Sequence, residues 1–391
     1  MAEDRPTSPA ATDEERSTSP EATPDETPTG RTRSVPKLVF TDAEAGALEF
    51  PSSGSRAFNY FEPERMRATM YEDVTVDVQP DPGRYLTQNW VYGFRDGPGG
   101  YPEEWTQAKS SDWHWFRDPN REWEQTIYRN NANVVRQIQQ NLDNAKNEDG
   151  FTGWSRGWTD VVEKHVSAWM HPEHGLGMHV FLPAQRDAPT NMINNAISVN
   201  SMHKLRFAQD LALYNLTVSE SIDGFNGEAH RETWMNDAAW QGVRENVEQL
   251  TAIRDWCEAV VKTNLVFEPL VGELFRSGFV MQVAATNGDF VTPTLMGSGE
   301  TDYERDLLYT RELVRGLTSD SQHAEENKKL LGEWIADASE QGIRAARQLQ
   351  PVWSQPPEKP VRFEDSLDRA KERMRGILAD LDLRPIKELE K

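Results

Sequence analysis

With 391 residues and a formal net charge of −22, the chain can bury one large core or two ordinary ones, and it is too acidic to lie along a phosphate backbone. Nucleic acid is therefore excluded as a main partner. A single cysteine, Cys257, excludes an internal disulfide and any cysteine-based zinc or iron–sulfur site within the chain.

Residues 1–34 consist almost entirely of Pro, Thr, Ser, Ala, Asp, Glu and a few Arg, and they have too little apolar surface to offset the entropy of ordering. They read as a disordered acidic tail. The tail holds eight acids and four arginines, so −18 remains on the rest of the chain. It lacks both the basic-then-apolar order of a secretion signal and the make-up of a transit peptide, so a cytoplasmic location is expected. No apolar run reaches the ~20 residues that would cross a bilayer, and no membrane association is expected.

Residues 35–118 are rich in Pro, Gly, Asp and aromatics, without sustained periodicity. Val74 to Val78 reads as a short extended piece, and Arg95 to Gly100 as a turn. So long an irregular stretch seldom forms its own core, and it is expected to be an extended arm laid on another surface. Trp90, Tyr92, Trp113, Trp115 and Trp123 are the residues expected to contact a partner, since aromatics supply large contact areas at interfaces.

Regular helix is expected to start at Asp118-Pro119, an N-cap followed by a favoured first residue. Trp123, Ile127, Val134, Ile138 and Leu142 then form one apolar stripe that closes at Glu148-Asp-Gly150. A second helix from about Gly153 carries Trp154, Trp158, Val161, Val162, His165 and Trp169, with Pro172 and Gly175 interrupting it. Further helical stretches are expected over 189–221, 228–263, 264–285 with a break at Pro269, 301–317 and 322–349. A proline-rich linker, 351–360, precedes a last helix over 363–381. The fold class is thus all-α: a ferritin-like helix bundle over 119–350, with the long irregular arm and disordered tail before it and 351–391 as linker and terminal helix.

A ferritin-like di-iron bundle carries one Glu on each of two helices and a Glu-x-x-His pair on each of the other two, because a three-residue step points both groups inward. The residues three before His114, His165, His171, His174, His179, His203, His230 and His323 are Ser, Val, Ala, His, Leu, Asn, Gly and Asp. None is Glu. His171, His174 and His179 around Glu173 form the one alternative metal cluster, but defined ligand sets are rarer than loop histidines. His165 and His203 read as hydrogen-bonded core residues, Cys257 as a buried inert thiol, and Glu268 and Glu273 as a solvated or ion-paired couple. No nucleotide loop and no nucleophile elbow is present. No catalytic, cofactor-binding or metal residue is expected in this chain.

The strings Phe116 to Tyr128, Asn131 to Arg136, Tyr85 to Trp90 and Asn200 to Tyr214 resemble the beta (small) subunit of the hydroxylase in bacterial multicomponent di-iron monooxygenases. The resemblance spans roughly residues 84–318 and is nearest the propane-oxidising branch, some of whose members also take acetone or phenol. It implies a chain that keeps the fold but not the iron. Where a catalytic paralogue would show Glu-Leu-Arg-His, this sequence has Lys204-Leu-Arg-Phe207. It also implies a di-iron alpha subunit as partner in an α2β2 assembly, a small effector protein, and a reductase carrying flavin and iron–sulfur groups and using NADH. Toluene, phenol or alkene monooxygenase subunits share this architecture. A regulatory helical protein without an oxygenase role is the reading from a different class.

Overall fold

The computed structural model describes residues 68–76, 105–383 and 386–390. The expected tail, most of the arm, Trp90, Tyr92 and the turn at 95–100 lie outside the described residues. All regular structure among the described residues is helical.

Helix α1 spans Glu124–Asn147, α2 residues 156–187, α3 Asn191–Ser221, α4 Ala229–Asn236 and α5 Gln241–Ala252. Helix α6 runs over 256–283, α7 is Thr292–Thr318, α8 Ala324–Gln348 and α9 Phe363–Asp380. Four of them close a ring: α2 packs on α3 and α6, and α7 packs on α3 and α6. Helix α1 lies over α3 and α7, α8 covers α6 together with α5, and α9 covers α6 from another side. The core is strongly aromatic. Trp158, Trp169, Trp240, Trp256, Phe275 and Phe279 are all buried, and Trp169 stacks on Phe275 with 4.9 Å between centroids.

Several boundaries differ from those the sequence suggests, each for a local reason. Asp118 does not start α1. Its carboxylate instead accepts from the backbone N–H groups of Asn120 (2.9 Å) and Glu122 (3.3 Å), and Arg121 takes a left-handed φ of 52° that no helix tolerates. The helix begins one turn later, where Trp123 N–H donates to the Thr126 hydroxyl at 2.8 Å. Of the extended piece expected over Val74 to Val78, residues 77 and 78 lie outside the described residues, and the rest belongs to a helical turn, Glu72–Val76, because Thr69 and Glu72 cap each other reciprocally.

Neither proline breaks its helix. Pro172 falls in the first turn after the chain bends at Trp169, where a missing N–H leaves no gap. Pro269 lies within the π-helical turns of Thr263–Gly272, whose wider winding accommodates its ring. The stretch 228–263 is three pieces, the last capped by Asp255, which accepts from the N–H groups of Cys257 and Glu258. The proline-rich segment is folded onto the core, with Trp353 4.5 Å from Phe279 and 5.1 Å from Phe363 between ring centroids.

The described end of the arm also folds back on its own chain. Lys109 N–H donates to Asn327 and Ser111 N–H donates to Asp320, both on or beside α8. The six-membered ring of Trp115 presses on α7 at Gly316, where a Cβ would come within 1.9 Å of it. Gly316→Ala is therefore expected to push Trp115 off α7 and cost about 1–3 kcal/mol, as overpacking does. Urea unfolding would read this, and an unchanged midpoint would mean that Trp115 does not anchor the arm.

Candidate functional site

Midway along the four-helix ring, five charged side chains meet. Helix α2 contributes Glu173, α3 Lys204, α6 Glu268 and Arg276, and α7 Glu300. Lys204 Nζ is 3.2 Å from Glu173 Oε2 and 2.5 Å from Glu268 Oε1. The Arg276 guanidinium spreads over all three acids: Nη1 to Glu173 Oε1 at 3.1 Å, Nη2 to Glu268 Oε2 at 2.7 Å, and Nε to Glu300 Oε1 at 2.9 Å. Glu173, Glu268 and Arg276 have no solvent exposure. Trp169 Nε1 donates to Glu173 Oε1 at 2.8 Å, and its ring lies against the guanidinium at 5.8 Å.

Local sequence explains how such long side chains fit. Glu268 and Arg276 stand two turns apart on α6 with Gly272 between them. A Cβ there would lie 2.5 Å from Glu268 Oε2 and 2.9 Å from Arg276 Nη1. Only glycine leaves the groove through which the guanidinium reaches back. The π-helical turns at Thr263–Gly272 and Arg276–Val280 shift the winding of α6 around both residues.

Burial opposes each charge, and the partners outweigh it for most of them. Burial lowers the proton affinity of Lys204, yet the carboxylates of Glu173 and Glu268 hold it above the ordinary lysine range. Burial would raise Glu268, but Arg276 and Lys204 hold it below the ordinary carboxylate value. Burial does prevail at Glu300, which is shifted upward despite Arg276. Beside the cage, burial first and then the Glu300 charge push Glu273 up to about 8.

The positions follow the ferritin-like pattern. Glu173 and Glu268 are single acids on two helices, and Lys204/Phe207 and Glu300/Tyr303 are i, i+3 pairs on the other two. The residues present do not fit a di-iron centre. Lys204 places a cation where an acid is required, and Phe207 has no donor atom. The Tyr303 hydroxyl donates to Asn264 O at 3.0 Å, and burial pushes it well above its usual value. A search for Glu-x-x-His passes over Glu300-x-x-Tyr303, and it cannot see Arg276, which belongs to no such pair. Glu268 is ion-paired but not solvated, and its partners lie on other helices or two turns away rather than at Glu273.

A second polar layer lies beside the first. His203 Nδ1 is 2.8 Å from Asp306, while its Nε2 faces Glu122 at 3.7 Å and Asp302 at 3.9 Å. Arg206 pairs with Asp210 and Asp302. Burial opposes a charge on His203, but Asp306 and then Asp302 push it up to about 9.

Of the other residues singled out from sequence, His171, His174 and His179 line one open surface cavity beside Trp234, and the rest are spread over the molecule. His165 accepts from Trp240 Nε1 and meets Gln355, each at 2.8 Å, as a core histidine would. His171 pairs with His230 at 2.9 Å and stacks on Trp234 instead of sharing a ligand with His174. Among the described residues no group of three or more His, Cys, Asp or Glu is arranged to hold a metal. Cys257 is buried, and burial raises its thiol well above the usual range. Trp113 is buried edge-on against Trp256 at 5.6 Å, so its contact area serves this chain's own core. Trp115 and Trp123 are half-buried. No described helix is long and apolar enough to cross a membrane.

Two outcomes are expected. Arg276→Met leaves two buried carboxylates and the partly exposed Glu300 facing one lysine and should cost roughly 3–5 kcal/mol in denaturant unfolding; a loss near zero would mean that the guanidinium is not holding the cage. The second concerns pH. His203, raised to about 9, stabilises the fold fully below its unfolded value of 6.5 and loses that contribution as pH rises through 9. Glu273 stays protonated in the fold up to about 8 but ionises near 4.5 once unfolded, so it too favours lower pH. Asp306, raised to about 6 by burial, is already largely ionised across the range from 6.5 to 9. Stability should therefore fall from pH 6.5 to pH 9, and His203→Gln should flatten the upper part of that fall. A slope identical in the variant would remove His203 from the account.

Residues 90–321 match the family model described as methane/phenol/alkene hydroxylase. The chain is 57% identical to a Rhodococcus jostii protein, over 93% of this chain and 99% of that one, and the relative is named propane 2-monooxygenase, hydroxylase component small subunit. A Mycolicibacterium smegmatis protein of the same name is 57% identical over 92% of this chain and 98% of its own. A solved chain of phenol hydroxylase from Pseudomonas sp. OX1 superposes with a TM-score of 0.69 at 19% identity, covering 81% of this chain and 92% of the other, a likeness of fold. With its four-helix ring and a match across more than half its length, the chain belongs to the methane/phenol/alkene hydroxylase family.

Proposed function

We propose that this chain is the non-catalytic small (beta) subunit of the hydroxylase component of a multicomponent di-iron monooxygenase, and that the complex hydroxylates propane at its second carbon. The observation that carries the reading is the cage itself, which keeps the ferritin-like geometry while Lys204 and Arg276 fill its centre. A bundle of this kind scaffolds. The names borne by relatives at 57% identity support the hydrocarbon, and toluene, phenol or alkene chemistry is the alternative within the family.

In this reading the iron lies in a catalytic alpha subunit, and the two chains assemble as α2β2. A small effector protein gates the reaction, and a reductase with flavin and iron–sulfur groups supplies electrons from NADH. The complex works in the cytoplasm. This chain's share of the chemistry is indirect: it presents a rigid surface, its own core closed by the ion network, against which the alpha subunit keeps its geometry. Large obligate interfaces suit that role. Trp115 and Trp123, which keep part of their rings exposed, and Trp90 and Tyr92 are the contact residues proposed on this chain.

Reconstitution tests it. The catalytic partner, effector and reductase are combined with and without this chain, and propan-2-ol is measured by gas chromatography alongside iron. Product should require this chain, while iron should follow the partner. Iron bound stoichiometrically by this chain alone, or full turnover without it, would end the proposal. Turnover of toluene or phenol but not propane would keep the scaffold and change the substrate.

A further inference from the structure

We infer that the Lys204 ammonium and the Arg276 guanidinium are built-in replacements for two metal ions, so that the cage is a metal site locked shut by the chain's own cations and opened by their removal.

Three observations lead there. First, the acids that converge come from the helix positions that hold metal in a ferritin-like carboxylate bundle: single Glu residues on α2 and α6, and the leading member of an i, i+3 pair on α7. Three acids brought together, two with no exposure and Glu300 only partly exposed, repel one another strongly unless positive charge sits between them. Second, the cations occupy that middle. Arg276 spans Glu173, Glu268 and Glu300, and Lys204 bridges Glu173 and Glu268, so the two acids on single-Glu helices each meet both cations. Two metal ions bridged by carboxylates would make the same double contact. Third, Glu173 Oε2 is fully buried and has no directed hydrogen bond, only the Lys204 ammonium at 3.2 Å. It is an acceptor with spare capacity aimed into the cage.

Arg276 reaches the centre from outside the ligand pattern, through the groove left by Gly272. The lock therefore consists of a substitution at a ligand position, Lys204, and an insertion from a non-ligand position, Arg276. One consequence is that folding of this chain needs no metal, whereas a bundle that uses metal to neutralise its acids gains stability from binding it. The inference concerns the cage alone and holds whichever hydrocarbon the complex oxidises.

The test uses the whole hydroxylase complex with Lys204→Met and Arg276→Met together in the small subunit. Methionine keeps length and removes charge. After loading with Mn²⁺ and desalting, metal content is measured against wild-type complex prepared in parallel. The double variant should retain additional manganese assignable to the small subunit, and wild type should not. Thermal unfolding gives a second arm with Lys204→Met alone, where Arg276 still supports folding. Millimolar Mn²⁺ should raise its midpoint by roughly 5 °C and leave wild type unmoved. Equal metal content in double variant and wild type, or an Mn²⁺ shift no larger in Lys204→Met than in wild type, would overturn the inference. Should the double variant fail to assemble, the Lys204→Met arm decides by itself. Metal retained by the wild-type small subunit would overturn it as well.

Discussion

Three carboxylates held apart by two cations at the centre of the bundle set the terms for everything around them. The charges come from four helices, so α2, α3, α6 and α7 cannot slide or rotate independently without exposing one acid to another in a largely buried, weakly screening interior. Apolar packing alone tolerates small shifts in register; a five-membered ion network with defined donor directions does not. Trp169 lies directly against it, and Trp240 and Phe275 pack behind Trp169. The network thus supplies the specificity of the arrangement, and the ring of indoles and phenyls supplies much of the burial energy.

This also accounts for the irregular winding of α6. A regular helix of its length would place successive inward residues at fixed angles, and Glu268 and Arg276 must both reach the same point. The π-helical turns provide the change in angle, and the low helical propensity of the run around Pro269 is compatible with it because looser turns ask less of that residue's missing N–H. The second layer, centred on His203, extends the same logic outward along α3 and α7 to Glu122, two residues before α1. Two polar strata cross one bundle, each setting cations among a larger number of acids.

Much of the architecture was legible in the sequence because it rests on period and punctuation. The stripe through Ile127, Ile138 and Leu142, the unbroken run ending at Ser221 and the amphipathic 324–348 all appear as helices where apolar residues recur at three and four. What was not legible depends on tertiary partners. Asp118-Pro119 has the local chemistry of a helix start, but the side chain is spent on a turn. Pro172 and Pro269 have the chemistry of breakers, and their neighbours supply geometries that need no N–H there. The cage was half visible. The lysine and phenylalanine at 204 and 207 stood out once the family resemblance gave them a template, whereas Arg276 stands eight residues from its ally Glu268 and far in sequence from Glu173 and Glu300, with no motif to join them. Trp113 read as an interface residue because composition cannot tell an aromatic that faces outward from one seated on Trp256.

The proline-rich segment after α8 has a consequence for the order in which the protein is made. Trp353, Gln355 and Glu358 bond or pack onto Phe279, His165 and Asn287, which belong to α6, α2 and the turn between α6 and α7. When the ribosome has delivered every residue through α8, those sites are still bare, and the bundle carries an open apolar seam along α6 until residues 351–380 emerge. Closure of the core therefore waits on the segment that follows α8. A nascent chain stalled before that point presents the sticky surface that chaperones recognise, even though the charged centre beneath it is already complete.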